Sequence, residues 1–447
     1  MEGIFKISNV PERMKARFAG QPDHLTICFW MWALFNSVSD EDYPAFCDRV
    51  LREIRDRGFN CVRMDDGAGL ICDINGNPRG PINWHRYSSP YQATRQTAGE
   101  GTGLISKRLL IFCKAAEKHG IQLILSSWYY MHTNWYLEEA LNAELFEGLS
   151  TVADRIKYFT EEHNRVLNIL RENDLLHVIA FVELCNEFEN LKFTLTGNTA
   201  RITPEEAAAW RPQLEASYDS MKRENPELLF AYDSHTPSVM KDLIPRNVDI
   251  LNYHHYYMWC TLYGWLDNSL SARIQNDMEF PAEIAYFLRK DRPHLEDIIQ
   301  ARSRYAKIRS GFEWTPRILL YNSLDPAKIP ELEQHLSEKF DANCGSFMQK
   351  LKDGLANVIK IRDEVLPGAP IVMGEGTSCC TSEKLLFEEH SDKFWTLLEE
   401  QALLLRENGL WGTVVRTGSS PVDISWNMRA DSFRKVNELF LNGKKNV

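Results

Sequence analysis

Eight times along this chain a short, apolar, β-rich run is followed by a longer stretch, and that alternation restricts the fold more than any other feature. The strand-like runs are HLTICFWMW (24–32), FNCVRM (59–64), IQLILSS (121–127), HVIAFVEL (177–184), LLFAYD (228–233), VDILNY (248–253), PIVMGE (370–375) and LWGTVV (410–415). Helical spacing is predicted over 41–58, 104–120, 152–173, 203–224, 347–365, 382–407 and 429–441, with a short helix near 237–243. Eight strand-then-helix units most simply close into a (β/α)8 TIM barrel. A doubly wound open sheet would need a phosphate-binding glycine loop after the first strand, and WMWALFNS (30–37) contains no glycine. Residues 258–346 interrupt the pattern after strand six and carry helical stretches of their own. They read as an inserted, mostly helical subdomain within one domain spanning 1–447.

With 447 residues, 44% of them hydrophobic, the chain can bury a large core. A net charge of −11, a pI near 5.6 and no basic stripe exclude a nucleic-acid partner. No stretch of about 18 apolar residues is present to span a bilayer, so no membrane association is expected. MEGIFKISNVPERMKARF lacks the apolar centre of a secretion signal, so a cytoplasmic location is expected. The ten cysteines form no CxxC pair and no Cys/His set with zinc spacing. Free, mostly buried thiols in a reducing compartment are the expectation, with the vicinal Cys379–Cys380 as the lesser, redox-active alternative.

Active sites of such barrels gather where the strands end, and those ends carry a biased set of residues. Strand two ends with Arg63, Asp65 and Asp66, and strand three with Trp128, Tyr129 and Tyr130. Strand four ends FVELCNEFEN (181–190), an apolar run holding Glu183 and closing on Asn186, Glu187 and Glu189. Asp233 and His235 end strand five, HHYY (254–257) strand six, Glu375 strand seven and Arg416 strand eight. A carboxylate inside a buried strand is costly unless it is paired or used. Two carboxylates on opposed strand ends suit cleavage of a glycosidic bond, one as proton donor and the other ionised beside the anomeric carbon. Metal-assisted hydrolysis by Asp65, Asp233, His235 and His254 is the competing use of such a cluster. His254 and His255 are adjacent on a strand and point to opposite sides, so they cannot both enter the barrel mouth.

FVELCNEF resembles the strand-four signature F-E-L-x-N-E-P of cellulase-like glycoside hydrolases, the family 5-type barrels of the large retaining clan. NCVRMD resembles their strand-two arginine, LNYHHYY their strand-six His-x-Tyr, and IVMGEG their strand-seven nucleophile segment. The four matches fall in the same order and on the expected strands. The resemblance implies Glu187 as acid/base and Glu375 as nucleophile, with Arg63, Asn186, His254 and Tyr256 as supporting or substrate-binding residues. It implies that Arg63 and Tyr256 lower the pKa of Glu375, that Asn186 bonds the sugar 2-hydroxyl, and that His254 helps set the protonation of Glu187.

The chain departs from that pattern in places. Phe188 replaces the proline after Asn-Glu, GEGTSCC (374–380) replaces G-E-F-G, and Arg416 stands where those enzymes place a sugar-stacking tryptophan. Arg416 is therefore expected to bind substrate hydroxyls or a sugar carboxylate, with pairing to Asp423 or Asp65 as the alternative. Glu183 is expected to pair with an inner arginine or histidine, and His255 to lie outside the barrel. Two or three of Trp30, Trp32, Trp128, Trp135, Trp259 and Trp265 are expected to form sugar platforms; Trp128 is the one carried into the site. The reading is a retaining glycoside hydrolase acting on β-linked bonds of short oligosaccharides or glycosides, without metal or cofactor. The alternatives are a catalytically inactive carbohydrate-binding barrel and the metal-dependent hydrolase.

Overall fold

The computed structural model describes residues 4–84, 100–128, 141, 144–145, 148–188, 202–235, 241–258, 282–291, 323–378 and 385–444. Eight parallel strands form a closed barrel: β1 (Leu25–Phe29), β2 (Cys61–Asp65), β3 (Gln122–Ser126), β4 (Ile179–Glu183), β5 (Phe230–Ser234), β6 (Ile250–His255), β7 (Ile371–Gly376) and β8 (Gly412–Val414). Ile27 stands opposite both Cys61 and Val414, so β1 joins β2 to β8 and closes the ring.

Around it lie α1 (Tyr43–Asp56), α2 (Ile105–His119), α3 (Val152–Glu172), α4 (Pro204–Glu224), α5 (Ile329–Val365), α6 (Asp392–Glu407) and α7 (Ala430–Asn442). Local chemistry sets several of their ends. Thr151 with Asp154, and Thr203 with Glu206, form reciprocal capping boxes that satisfy the first amides of α3 and α4. Gly120, at φ +65°, closes α2 in a left-handed conformation that a side chain would resist. The helix expected near 237–243 falls mostly on 236–240, outside the described residues; 241–243 form a turn.

Helix α5 has 37 residues and so runs about 55 Å, well past the barrel wall. It lies tight against β6 through Gly354, where a Cβ would sit 2.4 Å from the His255 ring. Much of the expected 258–346 insertion (259–281 and 292–322) lies outside the described residues, as do Trp135, Trp259, Trp265 and Cys379–Cys380. The seven described cysteines are free, six of them buried. Among the described residues no helix is long and apolar enough to cross a membrane.

The two ends of the barrel differ. The strand-start end is plugged by a short helix, Glu12–Phe18, whose Phe18 meets Trp411 edge-on at 4.9 Å, with Phe181 5.9 Å from the same indole. Trp411 Nε1 donates to the Pro22 carbonyl (3.0 Å), which satisfies its polar atom. That end combines this apolar packing with a part-buried ion pair, Arg17 of the same helix donating to Asp249 (2.8 Å). The acidic strand-end residues collect at the other.

Candidate active site

Arg63, third residue of β2, is fully buried at the centre of the strand-end cluster. Its Nη1 donates to Glu375 (2.8 Å), and its Nη2 lies 2.7 Å from Glu183, 2.7 Å from Asn186 Oδ1 and 2.8 Å from Asp233. The Trp128 ring covers the guanidinium at 4.6 Å and Phe29 at 5.7 Å. Burial works against the charge, but Glu183, Asp233 and Glu375 together hold Arg63 more firmly protonated than usual. Glu183 also takes an amide hydrogen from Asn252, and Asn252 in turn accepts from the Gly374 amide (2.7 Å), which ties β4, β6 and β7. The in-strand glutamate is thus a structural partner of the buried arginine, as its depth in the strand suggested, with burial pushing its carboxyl above the usual glutamate range and Arg63 pulling it back.

Past β4 the chain turns sharply. Asn186 donates its amide to the Ser127 carbonyl (2.9 Å), and Glu187 sits at φ +45°, with its amide donating to Asp233 Oδ2 (2.9 Å). A non-glycine residue in that conformation costs about 1–3 kcal/mol. The turn swings the Glu187 side chain, 14% exposed, up to the mouth. There His254 Nδ1 lies 2.8 Å from Glu187 Oε1, while its Nε2 lies 2.9 Å from Asp233 Oδ1 and 3.7 Å from Glu375 Oε1. A register shift between Tyr253 and His254 in the β6–β7 pairing brings His254 opposite Glu375. Burial alone would discharge the imidazole, but Asp233 and Glu375 raise its pKa well above the usual histidine value, so it is an imidazolium. His255 points the other way, toward the Lys350 carbonyl of α5 (3.1 Å).

Glu375 is 5% exposed. Tyr256 donates its phenol hydrogen to Glu375 Oε2, and Thr417 Oγ1, 3.2 Å from the Tyr256 oxygen, continues the chain. A carboxylate oxygen of Glu187, one of Glu375 and a His254 nitrogen all lie within 4.8 Å of one another. Burial pushes the Glu375 carboxyl above the usual glutamate range; His254 and Arg63 pull it back, and Glu187 and Asp233 push it further. This corrects the expectation of a depressed value: two donors do not offset full burial beside two other acids.

These three donors are the described group that could hold a metal ion. The donor chemistry fits poorly. A histidine ligand must aim a lone pair at the ion, and His254 turns both ring nitrogens to carboxylate oxygens, Nδ1 to Glu187 and Nε2 to Asp233. The other metal set does not assemble either. Asp65 accepts the Gly67 and Trp128 amides (2.8 Å each) from a fully buried position, and His235 is exposed, its ring 6.3 Å from that of Tyr256.

Two further expectations are overturned. Arg416 does not face substrate: it is fully buried and donates to Glu388 (2.6 Å), Glu389 (2.7 Å), Asp423 (3.2 Å) and Ser425 (2.9 Å). The residue after it, Thr417, takes the inward place. Trp128, like Trp30 and Trp32, is 1% exposed; it covers Arg63 and offers no open face to a sugar. Replacing Arg416 with Met should therefore strip three buried carboxylates of their cation and destabilise the fold by about 3–5 kcal/mol. Thermal melts with KM on one glycoside check this: a lower melting temperature with near-normal KM is expected, and the reverse pattern would restore a substrate role. Two residues of the cluster were not assigned to the glycosidase site from sequence. Asp233 was visible only as a strand-end acid, and nothing in VVRTGSSP singles out Thr417.

A family model described as sugar-binding cellulase-like matches residues 25–273, a span that includes Arg63, Asn186, Glu187, His254 and Tyr256 and ends before Glu375. No curated protein matches the chain. Among solved structures, a candidate glycoside hydrolase from Parabacteroides distasonis is 16% identical, with a TM-score of 0.63 over 94% of this chain and 93% of that one. A family 5 broad-specificity endoglucanase from Clostridium longisporum is 10% identical, with a TM-score of 0.50 over 95% and 98%. At such identities these structures share the barrel fold. The family match covers more than half of the chain, and the chain therefore belongs to the sugar-binding cellulase-like family, on a (β/α)8 barrel.

Proposed function

We propose that the protein is a retaining glycoside hydrolase that cleaves β-linked bonds in short oligosaccharides or glycosides, with Glu375 as nucleophile and Glu187 as acid/base. The observation that carries this reading is that these two glutamates face each other across the mouth, one carboxylate oxygen of each within 4.8 Å. Such proximity suits the direct attack of a retaining enzyme, whose carboxyl groups lie about 5–5.5 Å apart. Their surroundings divide the roles. Glu375 lies between the Arg63 guanidinium and the Tyr256 phenol, both of which stabilise its anion. Glu187 stands at the more open edge, oriented by His254.

In the first step Glu375 attacks the anomeric carbon while Glu187 gives its proton to the leaving oxygen. In the second, Glu187 takes a proton from water, the water oxygen attacks the same carbon, and Glu375 leaves. With Glu187 holding its proton, the acidic side chains of Glu183, Asp233 and Glu375 still outnumber the two basic groups, Arg63 and His254, a surround that favours the positive charge developing on the sugar. Asn186, held by Arg63, is the proposed partner of the 2-hydroxyl. Short substrates are proposed because, among the described residues, none of the tryptophans expected as platforms has an open face.

A panel of aryl β-glycosides with different sugars tests the reading, with the first-formed anomer read by NMR. Retained configuration on at least one sugar supports it; inversion, or no turnover on any, counts against it. The acid limb of the pH profile is a second expectation. Glu375 must be ionised to attack and burial raises its pKa, so kcat/KM should fall at a pH above the ordinary glutamate value as acid is added. Tyr256→Phe removes a donor to the anion and should move that limb up by about one pH unit. A limb that stays put or moves down would show that Tyr256 does not stabilise the carboxylate.

A further inference from the structure

We propose that Gln401, on the outer helix α6 and away from the barrel mouth, is a positioning residue for Glu375, acting through a strained turn at Thr377. Gln401 is 1% exposed. Its Oε1 accepts hydrogen bonds from Thr377 Oγ1 and Tyr257 Oη, both at 2.7 Å, and its Nε2 donates to the Val415 carbonyl at 3.1 Å. One amide thus grips the exits of β6, β7 and β8 together.

The turn it grips follows the proposed nucleophile directly. Gly376 has φ +156° and Thr377 has φ +73°. A β-branched residue resists that left-handed conformation and keeps it only where its surroundings fix it. Three backbone bonds do so: the Thr377 amide to the His255 carbonyl (3.0 Å), the Met258 amide to the Thr377 carbonyl (3.0 Å), and the Thr417 amide to the Gly376 carbonyl (3.0 Å). The Thr377 hydroxyl, held by Gln401, adds the side-chain constraint. With the turn in place, the Gly376 amide donates to Thr417 Oγ1 (2.9 Å), and that hydroxyl can then donate to the Tyr256 oxygen, which donates to Glu375. The chain of donors runs one way and ends on the carboxylate. Thr377 itself is fully buried.

The inference rests on the reading of Glu375 as nucleophile, and the test separates the two. Thr377→Gly removes the backbone strain together with the hydroxyl, and Thr377→Ser keeps the hydroxyl. On an activated aryl glycoside, Thr377→Gly should lower kcat about 10- to 100-fold, the loss that follows from a misplaced reacting group, with KM and melting temperature near those of the native protein. Thr377→Ser should recover most of the rate. Gln401→Leu should show the same fall in kcat even after correction for its folded fraction. Thr377→Gly within twofold of native kcat, or a Gln401→Leu deficit that matches its loss of folded protein, overturns the proposal. Glu375→Ala run beside them tells the cases apart: if it retains activity the nucleophile reading fails, and if it is inactive while Thr377→Gly is normal only the positioning role fails.

Discussion

Glu375→Ala should lower turnover by about 10⁴-fold or more, the scale seen when one member of a catalytic unit is removed, and added azide or formate should restore part of it. The small cavity left by the truncation lies beside Arg63 and Tyr256, both of which donate to the carboxylate in the native protein, so it is built to receive a small anion. An anion entering there attacks the anomeric carbon from the side Glu375 used, and no enzyme-bound sugar forms. The product is then a glycosyl azide or formate of inverted configuration. The protein should remain folded, because Arg63 keeps Glu183 and Asp233 as partners. Near-native activity in this variant would show that Glu375 is not the nucleophile.

Glu187→Ala should separate substrates by their leaving groups. A poor leaving group needs the proton, and its loss should slow cleavage about 10²–10⁴-fold. An activated aryl glycoside departs as a stable anion, so its bond cleavage should be far less affected. Equal losses on both would contradict the acid/base assignment. The variant also removes the carboxylate facing His254 Nδ1, but Asp233 and Glu375 remain within 3.7 Å of the ring, so the imidazolium keeps its counter-charges.

The barrel was legible because its strands are uninterrupted apolar runs whose ends coincide with changes in residue type. Seven of the eight strands lie within two residues of where the sequence placed their ends, the first, read to Trp32, stops at Phe29, and α3 spans Val152–Glu172 where 152–173 was expected. The long α5 was read from residue 347, although it begins at Ile329. Its first half buries Leu332, Leu336 and Phe340, the last 5.7 Å from the Phe394 ring of α6, a partnership that no local pattern announces. In the site, Glu187, Glu375, Arg63, Asn186, His254 and Tyr256 come together as the strand order implied. The failures come from burial and from facing. Trp128 turns inward but lies buried against Arg63, whereas Arg416 points away from the mouth, as adjacent positions on a strand face opposite ways. Arg416 faces outward into Glu388 and Glu389, on a short helix 27 residues or more earlier in the chain. The direction of the Glu375 shift was missed for a related reason: sequence shows which charges are near, but not how completely the group is withdrawn from water.

The most direct measurement is mass spectrometry of the intact protein, then of its peptides, after incubation with activated aryl 2-deoxy-2-fluoro-β-glycosides, whose fluorine slows both steps while the good leaving group keeps the first ahead of the second. The account predicts that at least one sugar of such a panel adds a single glycosyl group, that the adduct maps to Glu375 in the peptide containing IVMGEG, and that Glu375→Gln gains none. Turnover of the parent glycoside with no adduct on any carboxylate, or an adduct on a residue other than Glu375, would contradict it.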